Sequence, residues 1–277
     1  MPGNSRQLLR RRIRSVRETS KVTRAMEMIA SARMRRTEQR ALEARPYAAR
    51  LNALMGLLAA DARVRREHPF ICGQEAGRSL VVHITTDRGL CGGLNTRLNH
   101  SLGSFIMEQT APVSVITIGR KGREFALRAR LGLVAEFSGL GDAPAVVDLR
   151  PACRLVSDMF SRGEVSRVVL SYPRFVSLMS HQPMLDTFLP IVPNPGRFGG
   201  GEALVYEPDV AVVVDALLVR YVEAAIYHAY LELVACEYAA RMVAMHNATD
   251  SAQELAGAMT MELNKSRQAA ITEEICD

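Results

Sequence analysis

The 277-residue chain contains no tryptophan, and its five cysteines (Cys72, Cys91, Cys153, Cys236 and Cys276) form no C-x-x-C pair. Scattered single cysteines exclude a disulfide framework and a thiolate zinc site, and they read as the reduced thiols of a cytoplasmic protein. The six histidines show no H-E-x-x-H or other metal-ligand spacing. No apolar run approaches the length of a membrane span. The best candidate, "VAVVVDALLVRYVEAAIY", is broken by Asp215, Arg220 and Glu223. Arginines interrupt the first apolar residues, which excludes a signal peptide at this N-terminus and leaves membrane attachment to a partner. Helix breakers are also scarce at both ends. Residues 5–60 hold only Gly56 and Pro46, and beyond Pro208 there is no proline and only Gly257.

What remains is a globular composition, 48% hydrophobic and 23% charged, with the charge unevenly placed. Residues 1–66 carry 17 Lys/Arg against 5 Asp/Glu, a net +12, whereas residues 67–277 carry 18 against 24, a net −6. A basic front quarter calls for a negatively charged partner: nucleic acid, anionic lipid or an acidic protein surface.

Three regions follow. Residues 1–66 predict a long basic helix with apolar positions Ile13, Val16, Val22, Met26, Ile29 and Met34 on one face. Residues 67–207 alternate the strand-like runs "SLVVHIT", "PVSVITIG", "LVAEFSG" and "RVVLSYP" with helix-like stretches 94–109, 120–131 and 145–162. That alternation predicts an α/β domain with a mainly parallel, Rossmann-like sheet. "RFVSLMSHQPMLDTFLPI" reads as a terminal hairpin, and "PNPGRFGGGEA" as a surface loop. Residues 208–277 predict a second long helix. Alternating steps of four and three from Leu217 through Tyr221, His228, Ala235, Met242, Thr249, Ala256 and Leu263 to Ala270 meet mostly apolar or small residues. This heptad register is the signature of a left-handed coiled coil, in which small residues bring the helices close. The two end helices, 5–57 and 209–275, are expected to pair antiparallel, giving a rod with an α/β knob.

The chemistry-bearing candidate is "TTDRGLCGGLN" (Thr85–Asn95), a glycine-rich turn from strand to helix. Such turns cradle phosphate in α/β proteins. Here, however, neither G-x-x-x-x-G-K-[ST] nor G-x-G-x-x-G is present, and "EFSGLG" misses the nucleophile elbow G-x-S-x-G. The residues alone leave open a nucleotide-dependent α/β enzyme and a nucleic-acid-binding coiled coil. They equally allow a scaffold in which the glycines serve only the turn and His228 only packs.

Resemblance narrows these. "RRRIRSVRETSKVTRAMEMIASARMRR" with "EARPYAARL", then "TTDRGLCGGLN", "LVYEPD", "YAARMVAMHNATDSA" and "NKSRQAAITEEI" are similar, in order, to blocks of the gamma subunit of F-type ATP synthases. The resemblance implies a non-catalytic rotor shaft that couples proton (or, alternatively, sodium) flow to ATP synthesis or hydrolysis and helps regulate the ATPase. Its paired helices would stand inside a ring of three alpha and three beta subunits. Its foot would touch the epsilon subunit and the membrane ring of c subunits, at the cytoplasmic face of a bacterial plasma membrane. It implies no cofactor, no metal and no nucleic acid. Met26, Arg33, Arg35 and Arg36 would face acidic lever loops of the beta subunits, Arg267 and Gln268 a beta catch loop, and Tyr206 and Glu207 the c ring and epsilon. Three departures stand out. The family usually runs on past "ITEEICD" for about ten small and apolar residues, Leu263 stands where tyrosine is common, and His246 where lysine is common. The cysteine-bearing insert of the chloroplast form is absent, which argues against thiol regulation.

Overall fold

The computed structural model describes residues 2–61, 64, 69–72, 77–192, 206–207 and 209–276, so the expected loop "PNPGRFGGGEA" lies outside the described residues. Helix α1 spans Pro2–Ala60 and the last helix, α6, spans Val210–Cys276. At ~1.5 Å rise per residue they are about 90 and 100 Å long. They run antiparallel, because partners on α6 descend as α1 ascends: Thr23 with Thr249, Glu27 with His246, Arg45 with Glu232 and Asn52 with Tyr221. Pro46 falls on the exposed face of α1, and the helix continues through it.

The α6 register is as the heptad reading expects. Every position of that series from Leu217 to Leu263 is buried or half-buried. On α1 the reading needs correction. The covered residues are Ile13, Val16, Ser20, Thr23, Glu27, Ala30, Met34, Thr37, Ala41, Ala44, Ala48, Leu51, Met55 and Leu58, at unbroken steps of three and four. Val22 and Ile29 are instead more than half exposed, as is Met28. Bulk misled the sequence reading: the seam is lined by small residues, Ala30 and Ala41 being 1% exposed, which permits close approach of the two backbones. Val22, Met28 and Ile29 point away from the partner helix, whereas Ile13, Met34 and Met55 join the seam.

Between the long helices come α2 (Pro69–Cys72), β1 (Arg78–Ile84), α3 (Leu94–Glu108), β2 (Val113–Ile118), α4 (Arg120–Arg128), β3 (Gly132–Phe137), α5 (Val146–Ser161), β4 (Val165–Phe175) and β5 (His181–Leu189). The sheet order is β3-β2-β1-β4-β5, with four parallel strands and an antiparallel β5 closing the expected hairpin. Alternate residues of β1 face two layers. Leu80, Val82 and Ile84 join a core with Leu149, Val156 and Phe160 of α5, the lower end of α1 (Leu51, Met55, Leu58) and the lower half of α6 (Val214 to Val234). Val81 faces Leu102 of α3 on the other side. The bases of the long helices therefore serve as one covering layer of the sheet, and rod and domain share one core.

His83 of β1 is fully buried under α3. Its two ring nitrogens lie 2.8 Å from Ser171 Oγ and 3.0 Å from Asn99 Oδ1, one donor and one acceptor site, as a neutral ring requires. Burial pushes its pKa down from 6.5 to about 4. Between those values the unfolded chain holds a proton that the folded chain lacks, so stability falls as pH drops through this window, by up to roughly 3 kcal/mol. The stability advantage of the parent chain over His83→Gln in urea denaturation should therefore shrink from neutral pH toward about pH 4.5. Parallel pH profiles for the two chains would contradict this account of His83.

Candidate functional site

In doubly wound sheets, ligands bind outside the carboxyl ends of the strands where the strand order reverses. Here that point lies between β1 and β4, and α6 occupies it. Cys91, Leu94 and Leu98 from the glycine-rich segment and Phe175 from the end of β4 pack on Leu231, Ala235, Cys236, Ala239 and Ala240 of α6. The Cys236 thiol lies 3.6 Å from the Pro173 carbonyl, and Arg241 donates to the Gly89 carbonyl at 3.2 Å. The crevice that would take a ligand takes the shaft.

Several polar groups of "TTDRGLCGGLN" are likewise engaged within the chain. Asp87 accepts from the amides of Arg120 (3.0 Å) and Gly139 (2.8 Å), and Thr85 Oγ1 from that of Gly122 (2.7 Å). The Lys121 amide donates to the Thr86 carbonyl. The first amides of α4, where an anion would sit, are thus taken by a carboxylate, a carbonyl and a hydroxyl of the protein itself. Gly119 is obligatory here: its φ is +109°, and a Cβ would fall 2.0 Å from the Thr85 carbonyl oxygen. Cys91 is buried, accepts from Asn95 Nδ2 at 3.3 Å, and has its pKa pushed up by burial, the opposite of a reactive thiolate. Burial also pushes the Cys153 thiol up to about 12. Among the described residues no group of His, Cys, Asp and Glu could hold a metal ion.

Two polar joints fasten the domain to the rod. In the lower one, Glu232 of α6 is 1% exposed and receives Arg45 of α1 in a bidentate pair (2.7 and 3.1 Å) and the Phe175 amide of β4 (2.8 Å). Arg45 also donates to the Phe175 carbonyl at 2.7 Å. Three elements thus converge on one carboxylate. His228, read from the sequence as a packing residue, is half-buried with Nε2 3.8 Å from Glu232, and burial holds its pKa below the ordinary value. The upper joint joins the loop after β3 to both long helices. Asp142 accepts from Arg33 of α1 (2.8 Å) and from Tyr238 of α6 (2.9 Å), and Tyr230 donates to the Gly141 carbonyl (2.6 Å). Burial raises the Asp142 pKa, but hydrogen bonds from Tyr238 and the backbone, with the Arg33 charge, outweigh it and hold the carboxyl below its ordinary range.

The residues singled out by resemblance occupy four different settings. Met26 is half-buried beside the seam, and Arg35 and Arg36 are exposed, with no ion-pair partner among the described residues. Arg33, expected to act with them, is instead engaged by Asp142 and Tyr238. Arg267 and Gln268 are exposed near the far end of α6. Tyr206 is half-buried, donates to Asp61 at 3.0 Å and packs on the main core, while Glu207 is exposed. Sequence reasoning missed Arg45, Glu232, Asp142 and Tyr238. Arg45 and Glu232 are 187 residues apart, and no local pattern marks them.

The arrangement defines a class: a two-helix rod fused to an α/β domain whose ligand crevice is filled by the rod. Residues 5–277 match the sequence model of the ATP synthase family. The chain is similar to the ATP synthase gamma chain of Dehalococcoides mccartyi, 44% identical over 98% of this chain and 95% of that one. It is similar also to that of Herpetosiphon aurantiacus, 41% identical over 97% and 95%. Its fold resembles the rotor of Euglena gracilis mitochondrial ATP synthase, with a TM-score of 0.69 at 18% identity over 97% of this chain and 99% of that one. The chain belongs to the ATP synthase gamma-chain family.

The lower joint sets a test. Glu232→Ala strands the Arg45 charge and the Phe175 amide. It should destabilise the chain by about 3 kcal/mol in urea unfolding, the low end for breaking a buried pair because Arg45 is partly exposed. A loss within about 0.5 kcal/mol, typical of a surface site, would show that the joint contributes nothing.

Proposed function

We propose that this chain is the central rotor shaft of an F-type ATP synthase, a subunit without catalytic residues of its own, seated at the cytoplasmic face of a bacterial plasma membrane. One observation carries the reading: the coiled coil fills the place where the α/β domain would hold a ligand, so the two move as one body. Above the domain the rod presents arginines and large apolar side chains outward, among them Val22, Met28, Ile29 and Met261, all more than half exposed. A rod of this kind suits enclosure by a sleeve with acidic and apolar linings. The alpha and beta subunits would form that sleeve, and the nucleotide chemistry would belong to the beta subunits. The α/β domain, with Tyr206 and Glu207 at its base, would meet epsilon and the c ring. No described helix is long and apolar enough to cross a membrane, which fits attachment through that ring.

Charge suits the transmission of torque. Two unit charges ~4 Å apart at an effective dielectric near 20 attract by roughly 4 kcal/mol before solvation costs. An exposed pair nets only about 0.2–1 kcal/mol. Such contacts bias a rotor without locking it. Arg35 and Arg36, unpaired among the described residues, would meet the acidic lever loops beside Met26. Arg267 and Gln268 would meet a catch loop higher up, where a bidentate guanidinium–carboxylate contact is possible.

Co-expression with alpha and beta subunits should give a stable complex on gel filtration, and separate elution would sink the shaft reading. Within that complex, Arg35→Ala alone should be tolerated, whereas Arg35→Glu with Arg36→Glu should impair ATP-driven ion pumping while assembly persists. Full pumping by the double reversal would mean that steric pushing carries the torque. Arg267→Ala with Gln268→Ala should likewise lower coupled ATP synthesis more than it lowers the melting temperature, and wild-type synthesis would remove the catch role.

A further inference from the structure

We propose that Arg33 serves as an intramolecular fastener, a positioning residue that straps the α/β domain to the shaft through Asp142 and Tyr238, leaving Arg35 and Arg36 as the partner-facing charges of that segment. This rests on the reading of the chain as a rotor.

The loop after β3 leaves the sheet through Gly139 and Gly141, both with positive φ (+79° and +75°). Its root is tied down by the Gly139 amide on Asp87, and its tip reaches both long helices. Asp142 and Tyr238 share a hydrogen bond, and the Arg33 guanidinium donates to both, to Asp142 at 2.8 Å and to the Tyr238 hydroxyl at 3.1 Å. The Tyr238 ring is flanked by two guanidinium groups, Arg33 at 6.0 Å and Arg241 at 5.7 Å. The Tyr230 hydroxyl holds the adjacent Gly141 carbonyl. Arg33 and Asp142 are each partly exposed, so the pair alone is weak. Its value lies in where it acts.

The lower joint grips the end of β4, whereas this strap grips the chain leaving β3. In the order β3-β2-β1-β4 those two strands lie on opposite sides of β1, three strand spacings or about 14 Å apart. A body held at one point can pivot about it. Held at two points across the sheet, it resists twisting about the rod. The sequence pattern of three arginines at 33, 35 and 36 hides this division of labour. Of the three, Arg33 alone contacts the domain among the described residues.

Exchanging the charges separates the strap from a partner contact. Arg33→Asp and Asp142→Arg should each raise hydrogen exchange of the amides in residues 138–145 of the isolated full chain by about threefold or more, the factor that one hydrogen bond of ordinary net worth represents. The melting temperature should change little. The double exchange should return the loop toward parental protection. That readout involves no partner, so it stands or falls independently of the rotor reading. In the assembled complex each single variant should lower ATP-driven pumping, and the double exchange should restore it. Unchanged exchange in the single variants would overturn the strap. Restored loop protection with pumping still lost would overturn the assignment of Arg33 to the strap and give it to a partner subunit.

Discussion

The carboxylate of Glu232 is the constraint on which the rest of the structure turns. A buried charge is tolerated only when its lone pairs are met. Here they are met by a guanidinium from α1 and a backbone amide from the end of β4. One side chain therefore fixes the register of the two long helices relative to each other and the seat of the sheet upon them. Around it, the apolar core of the sheet runs without interruption into the base of the coiled coil. An α/β domain that in other proteins would end in a ligand crevice ends here against a helix. The loss of that crevice is what makes the domain useful as a handle.

Away from the domain the logic of the rod inverts. The seam mixes Ile13, Val16, Met34 and Met245 with small residues such as Ser20, Thr23, Ala30, Thr249 and Ala256, which let the two helices approach closely. Thr23 and Thr249 share a 2.7 Å hydrogen bond across it. His246 lies 3.0 Å from Glu27 of α1 and 3.5 Å from Asp250 of its own helix, a polar contact between the two helices. Val22, Met28, Ile29 and Met261 remain on the outside. A free-standing rod would be poorly served by exposed valine, isoleucine and methionine. A rod inside a sleeve would be well served.

The long helices were legible in the sequence because periodicity over many turns is a strong local signal, and the strands because each is a short apolar run bounded by turn residues. The terminal hairpin was legible for the same reason. The α1 seam was misread at Val22 and Ile29, since size suggests burial and cannot show that small residues set the helix spacing. The scaffold role of "TTDRGLCGGLN" was half visible: the absent phosphate motif argued against a nucleotide. That Asp87 fills the anion position at α4 could not be read, because its partners Arg120 and Gly139 come from two other strand–helix turns. The residues proposed to face partners came from family blocks, which place Arg33, Arg35 and Arg36 alike. Only the fold distinguishes Arg33, through an aspartate 109 positions away.

If the sheet and the shaft are one rigid body, a distance between them has a single value. Spin labels at Arg40 on the exposed face of α1 and at Met107 on α3 would report it by pulsed dipolar spectroscopy on the full chain, alone and assembled with alpha and beta subunits. A single narrow distribution, unchanged on assembly, is the expected result. A broad or two-peaked distribution would show that the domain swings on the rod, and the account of torque transmission through a fixed joint would be wrong.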